Sequence, residues 1–159
     1  MAKARVKTIT QVKSDQPCQN KRQALTQIKR IKWNIDFRSE NQRHFWKTID
    51  TNDVTFCAGP AGCGKTFISV YYALQMLAQK KFESIILTKP LVEAGGEKLG
   101  FLPGDVDEKT EPFMMSFYYN MEQIVGKQRL DVLRDAGVIK VIPLAYMRGL
   151  TLTNTCVIL

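Results

Sequence analysis

The chain has 159 residues, 45% of them hydrophobic, so it is long enough for one domain with a buried core and too short for two. The sequence has no apolar run of roughly eighteen residues and no apolar stretch behind its basic amino terminus, so we expect neither a membrane-spanning helix nor a secretion signal. Its cysteines lack CxxC spacing and there is a single histidine, so we expect free thiols in a cytoplasmic protein rather than a zinc site.

The net charge of +8 is concentrated at the amino terminus. Residues 1–32 hold nine lysines and arginines against one carboxylate, Asp15, whereas acidic and basic groups balance in the remainder. We predict that residues 1–32 are a basic, disordered arm and that residues 33–159 are the folded domain. Such an arm suits the backbone of single-stranded RNA, and a solvated leader without a partner is the alternative.

The predicted domain begins with a helix and a strand. Ser39 followed by Gln42 fits a capping box and predicts a helix over 39–51. DVTFCAG, from Asp53, predicts a short buried strand that runs into a glycine-rich turn. The apolar spacing of TFISVYYALQMLAQ predicts a helix after the turn, and ESIILTKP predicts a strand that Pro90 stops. Strand, helix and strand in this order indicate a βαβ unit and a parallel sheet.

The second half of the chain predicts a loop, two helices and two strands. Residues 91–111 are rich in glycine and acidic groups and predict a long functional loop. PFMMSFYYNMEQIVG predicts a helix that begins at Pro112, KQRLDVLRDAG predicts a helix that ends at Gly137, and VIKVIPL and TNTCVIL predict strands. We expect core positions rather than a base-stacking platform for the aromatic and methionine side chains Phe113, Met114, Met115, Phe117, Tyr118, Tyr119 and Met121.

The glycine-rich turn matches the phosphate-binding pattern GxxxxGK[ST] in full, between a predicted strand and a predicted helix. Its glycines allow successive N–H groups to point into one concavity, and the start of a helix attracts anions. Lys65 is suited to reach the β- and γ-phosphates and Thr66 to ligate Mg²⁺, so both are catalytic candidates. The turn predicts ATP and Mg²⁺ binding by Gly59, Pro60, Ala61, Gly62, Cys63, Gly64, Lys65 and Thr66.

Three blocks, GPAGCGKTF, IILTKPLVEAGGEKLGFLPGD and PLAYMRG, resemble the successive signatures of PhoH-like proteins, which are P-loop ATPases akin to superfamily 1 helicase cores. The likeness runs from about Glu40 to Leu159, and the middle block is its specific part. The resemblance implies a P-loop NTPase-type (RecA-like) three-layer α/β fold with a mainly parallel sheet, incomplete at the carboxyl end. It also implies ATP binding and hydrolysis, a function linked to RNA, and a homo-oligomer.

The resemblance assigns further site residues, each with a plainer alternative. Gln42 is similar to the glutamine that reads adenine in helicase-like ATPases, or it belongs only to the helix cap. Lys89 stands where such proteins contact a nucleic-acid backbone. Arg148 would sense the γ-phosphate or touch nucleic acid, or it is an ordinary surface arginine. Three loop carboxylates are candidates for the active crevice or are simply solvated: Glu93, Glu97 and Asp105.

The end of the sequence departs from the family pattern. TNTCVIL resembles the hydrophobic strand that an acidic pair should follow, and the chain stops at Leu159. That acid helps to hold Mg²⁺ and to organise the attacking water in P-loop NTPases. We therefore expect a truncated chain that binds ATP and turns it over poorly. A non-hydrolysing nucleotide- or RNA-binding module is the alternative, while the middle block argues against a small-molecule kinase.

Overall fold

The computed structural model describes residues 16–90 and 106–159, and the side chains of 20–90 and 114–159. The helices are α1 (Gln16–Lys29), α2 (Glu40–Thr51), α3 (Lys65–Ala78), α4 (Val106–Val125) and α5 (Lys127–Asp135), and a short 3₁₀ helix spans Leu144–Met147. The strands are β1 (Ser84–Leu87), β2 (Ile139–Val141) and β3 (Thr155–Ile158). Within these residues, no helix has the length and apolar character needed to cross a membrane.

The strands form a parallel sheet in the order β2-β1-β3. In the register of this sheet, Ile85 of β1 pairs with Ile139 of β2 and with Cys156 of β3. The middle strand β1 is apolar and buried almost throughout, as expected for a parallel strand with a neighbour on each side. The predicted α/β fold with a parallel sheet is confirmed.

Helix α3 is the centre of the packing. It contacts α1, α2, α4, β1 and β3, and it buries residues on most of its circumference, including Val70, Ala73, Leu74 and Leu77. A helix that is apolar all round is stable only when it is covered on most sides. The turn at the start of α3 is consequently attached to the best-packed element of the domain.

Helix α1 lies within residues 1–32, which were predicted to be disordered, so that prediction was wrong for this segment. Ala24 and Ile28 are fully buried in the core, and Leu25 and Ile31 pack against it. These residues recur at helical spacing, which is typical of an amphipathic helix. The disorder was predicted from the basic composition of residues 1–32, which does not take this spacing into account. The packed part of the chain therefore includes residues 24–31, while residues 1–15 lie outside the described part.

Two other predictions were wrong: a strand before the glycine-rich turn and the first residue of α4. The segment DVTFCAG forms no strand: Val54 is 72% exposed and Phe56 is 92% exposed, and no strand among the described residues pairs with this segment. Its apolar composition predicted a strand, but a strand also needs a neighbouring strand with which its backbone can form hydrogen bonds. Helix α4 starts at Val106, six residues before Pro112, so it includes the last residues of the segment that was predicted to be a loop.

Candidate nucleotide-binding site

The position of the glycine-rich turn follows from the connection of α3 to β1. Helix α3 packs on β1, and only a short segment joins its end at Ala78 to the start of β1 at Ser84, so we infer that α3 begins towards the carboxyl edge of the sheet. Lys89 follows β1 at the same edge, and its carbonyl accepts a hydrogen bond from the Leu144 N–H at 3.3 Å. Ligands of open α/β sheets bind at this edge.

The backbone of the turn has the conformation that its glycines predict. Gly62 has φ 78° and Gly64 has φ 88°, a left-handed region that side chains with a Cβ rarely adopt. Gly64 is the N-cap of α3 and accepts a hydrogen bond from the Ile68 N–H at 3.0 Å, without any side-chain cap. The first turn of α3 carries no acidic residue. This uncapped helix start fits an anion.

Lys65 is folded into the turn that precedes it. Its Nζ donates to the carbonyls of Gly59 at 2.8 Å and Pro60 at 2.6 Å, and lies 3.6 Å from Cys63 Sγ. Thr66 follows in the first turn of α3 and is half-buried. The ammonium thus sits at the centre of the turn, where neutral carbonyls are weaker partners for it than phosphate oxygens would be.

Gln42 connects helix α2 to the glycine-rich turn. Its Oε1 accepts from the Arg38 N–H at 2.8 Å, and its Nε2 donates to the Cys63 carbonyl at 3.1 Å. The predicted N-cap is confirmed, since Ser39 Oγ accepts from the Gln42 N–H at 3.3 Å. Gln42 reaches back to Arg38, however, and not to the Ser39 N–H that a capping box requires. The same side chain therefore takes part in the helix start and touches the turn.

Aromatic contacts hold α2 against α3, and the sequence reading missed their role. Trp46 makes edge-to-face contacts with Tyr72 at 5.1 Å and Tyr71 at 6.0 Å between ring centroids. The Tyr72 hydroxyl donates to Asp50 Oδ1 at 3.0 Å, and burial together with this carboxylate raises the pKa of Tyr72 to about 12. The sequence feature that could have predicted this contact is the combination of Trp46 on the apolar face of α2 with the two adjacent tyrosines of α3. These contacts place Gln42 beside the turn.

The remaining predicted site residues are less closely associated with the turn. Arg148 is exposed at the end of the 3₁₀ helix, and among the described residues it makes no hydrogen bond to the turn. Lys89 is half-buried, with Nζ 5.7 Å from the ring centroid of Phe117. The loop carboxylates Glu93, Glu97 and Asp105 lie outside the described residues.

The aromatic and methionine set of α4 divides between core and surface. Core positions are confirmed for Met114, Phe117 and Met121. The expectation was wrong for Met115 and Tyr119, which are 59% and 65% exposed. Tyr118 is half-buried beneath the Arg134 guanidinium, at 4.3 Å, and the side chain of Phe113 is outside the described residues.

The cysteines offer no metal site in the described part of the chain. Cys57, Cys63 and Cys156 are free thiols, and no group of three or more histidine, cysteine or acidic side chains described here is arranged to hold a metal ion.

Comparisons with known proteins agree with the motifs. The PhoH-like protein family model matches residues 34–159. The chain is 50% identical to a PhoH-like protein of Synechocystis sp. over 117 residues, which is 74% of this chain and 35% of the relative. It is 42% identical to a PhoH-like protein of Bacillus subtilis over 79% of this chain and 39% of the relative. It is 41% identical to Protein PhoH of Escherichia coli K12 over 77% of this chain and 35% of the relative. The chain thus spans little more than a third of the length of these relatives.

Proposed function

This chain belongs to the PhoH-like protein family. We propose that it binds ATP with Mg²⁺ in its glycine-rich turn and functions as an RNA-linked ATPase. The observation that carries the proposal is the complete GxxxxGKT pattern, with left-handed backbone at Gly62 and Gly64, at the uncapped start of α3. A helix start without a carboxylate in its first turn favours a polyanion over a neutral ligand.

The residues of the turn have distinct roles in this proposal. Lys65 exchanges the carbonyls of Gly59 and Pro60 for β- and γ-phosphate oxygens, which form stronger charge-assisted bonds with the ammonium. Thr66 contributes its hydroxyl to Mg²⁺. When bound, Mg²⁺ neutralises charge on the phosphates. The backbone from Gly62 to Gly64 supplies N–H donors to the polyphosphate.

Gln42 is proposed to give the site its preference for adenine. It already lies against the turn through its bond to the Cys63 carbonyl, and its amide carries both a donor and an acceptor, as adenine recognition requires. Gln42→Ala should reduce the ratio of ATP to GTP affinity. An unchanged ratio would leave Gln42 with only its structural role. Arg148, near the same edge of the sheet, is the further candidate for γ-phosphate contact.

Titration calorimetry with ATP and Mg²⁺ tests the site. Lys65→Ala should weaken ATP binding by at least about tenfold, because a hydrogen bond to a charged group contributes about 1.5–3 kcal/mol. Lys81→Ala is the matched control, since Lys81 is an exposed cation beyond the other end of α3. Equal affinities for the two variants would refute the assignment of the site.

Phosphate release on the same preparation, with and without single-stranded RNA, tests the catalytic part. Mg²⁺-dependent release that RNA stimulates supports an RNA-linked ATPase. ATP binding without release favours the alternative of a nucleotide-binding module that does not hydrolyse its ligand. In both cases the Lys65→Ala preparation serves as the blank for contaminating ATPases.

A further inference from the structure

Helices α1 and α5 contact each other and leave an open cleft of about 530 Å³ at the start of α5. The lining side chains come from the end of α1 and from the α4–α5 junction: Gln27, Arg30, Val125, Lys127, Gln128 and Arg129, together with Gly126. Among these described residues there are three cations, two amides and no carboxylate. None of them belongs to the glycine-rich turn.

The surroundings of the cleft strengthen its positive charge. Residues 16–32 carry five lysines and arginines and no acidic residue, and α1 presents its cations Lys21, Arg22 and Lys29 outside the core. The carboxylates closest along the chain to the α4–α5 junction, Glu122 and Asp131, are not among the lining residues. A concentration of one charge sign around a concave site attracts ligands of the opposite sign.

The side chains in the cleft are suited to phosphate and sugar oxygens. Arg129 is oriented by a bond from its Nη1 to the Val125 carbonyl at 3.0 Å, which uses only one of the several N–H donors of a guanidinium. Arg30 and Lys127 are exposed and supply further cationic donors, while Gln27 and Gln128 supply amides. Arginine, lysine and amide side chains are those that usually contact nucleic-acid backbones.

We propose that this cleft binds the phosphodiester backbone of a single-stranded nucleic acid. The cleft is concave and polar, so it accommodates one strand rather than a flat surface. An anionic membrane is a poorer partner, because the apolar residues of α1, Ala24 and Ile28, are fully buried in the core and cannot enter lipid. The proposal rests on the nucleic-acid part of the proposed function and places the contact on the surface between α1 and α5.

The test compares two triple variants of the full chain. The cleft variant carries Arg30→Gln, Lys127→Gln and Arg129→Gln, which retain length and helix propensity while removing charge. The control variant carries Lys80→Gln, Lys81→Gln and Lys140→Gln, which remove the same charge from exposed positions outside the cleft. Thermal melting establishes that both variants are folded.

Binding is measured by fluorescence anisotropy of labelled oligouridylate and oligodeoxyuridylate of roughly twelve nucleotides, which differ only in the 2′-hydroxyl and have a length within the usual range for single-strand sites. Loss of three phosphate contacts should reduce the slope of log K against log salt by about 2, and reduce affinity by about tenfold or more at low salt. The control should lose far less. Stronger binding of the RNA would add a contact to the 2′-hydroxyl, and equal binding would show that the backbone alone is read.

Equal losses in the cleft and control variants would overturn the proposal, because they would show a general effect of net charge. Absence of binding by the unmodified chain would overturn it together with the RNA part of the proposed function. Arg30→Gln alone provides a second variant, since Arg30 is exposed and lies beyond the end of α1. It should reduce the salt slope by about 0.7. ATP titration of the cleft variant should be unchanged, which separates this result from failure of the ATP site.

Discussion

Replacing Gly64 by alanine should destabilise the protein through two separable effects. Gly64 has φ 88°, and an L-residue in the left-handed region costs roughly 1–2 kcal/mol. A Cβ at this position would also lie 3.0 Å from Gln42 Nε2. That amide would have to shift by a few tenths of an ångström, which strains its bond to the Cys63 carbonyl, and complete loss of that bond would cost about 1 kcal/mol. The expected total loss is therefore at most about 2–3 kcal/mol.

Gly62→Ala is the matched control. Gly62 has φ 78°, so it shares the backbone strain, but no atom lies within 4 Å of the Cβ that alanine would add. The free energy of unfolding of each variant is obtained from urea denaturation in the absence of nucleotide. Gly64→Ala should cost more than Gly62→Ala by up to about 1 kcal/mol, which corresponds to a shift in midpoint of up to about 0.5 M for a typical m-value.

The Gln42→Ala background isolates the contact. In that background the two alanine variants should have equal costs, because the amide that the Gly64 Cβ would meet is absent. Equal costs in the unmodified background would refute the reasoning. So would a difference that persisted after Gln42 was replaced, since the excess cost of Gly64→Ala would then have another source.

Two further predictions concern the core and the partly buried thiol of Cys156. Ile28→Ala should reduce the free energy of unfolding, measured by urea denaturation, by about 2–5 kcal/mol because Ile28 is fully buried. Lys29→Ala is the control and should change it little, because Lys29 is exposed. Similar values for the two variants would place α1 outside the core. Burial raises the pKa of Cys156 from its ordinary value of 9.0 to about 11, so its contribution to stability is fully present below pH 9 and is lost as the pH rises towards 11. Cys156→Val should flatten the loss of stability between these pH values in denaturation curves, and an unchanged profile would contradict this assignment.

The features that the sequence predicted well are those encoded in neighbouring residues. The glycine-rich turn is a contiguous pattern, and its left-handed glycines follow from local sterics. Helix α2 begins where Ser39 supplies a cap, and β1 lies in an apolar, β-branched run that ends before Pro90. Membership in the PhoH-like family rests on the same kind of signal, since its blocks are read directly along the chain.

Local patterns in the sequence therefore predicted the glycine-rich turn, most helices and the parallel sheet. They did not predict that α1 enters the core, that Gln42 bridges α2 and the turn, or that Arg30 shares a cleft with Arg129. Nor did they predict that the apolar segment around Phe56 forms no strand. The reason is physical: periodicity and capping depend on residues a few positions apart, whereas burial, pairing and charge clustering depend on which distant segments pack together.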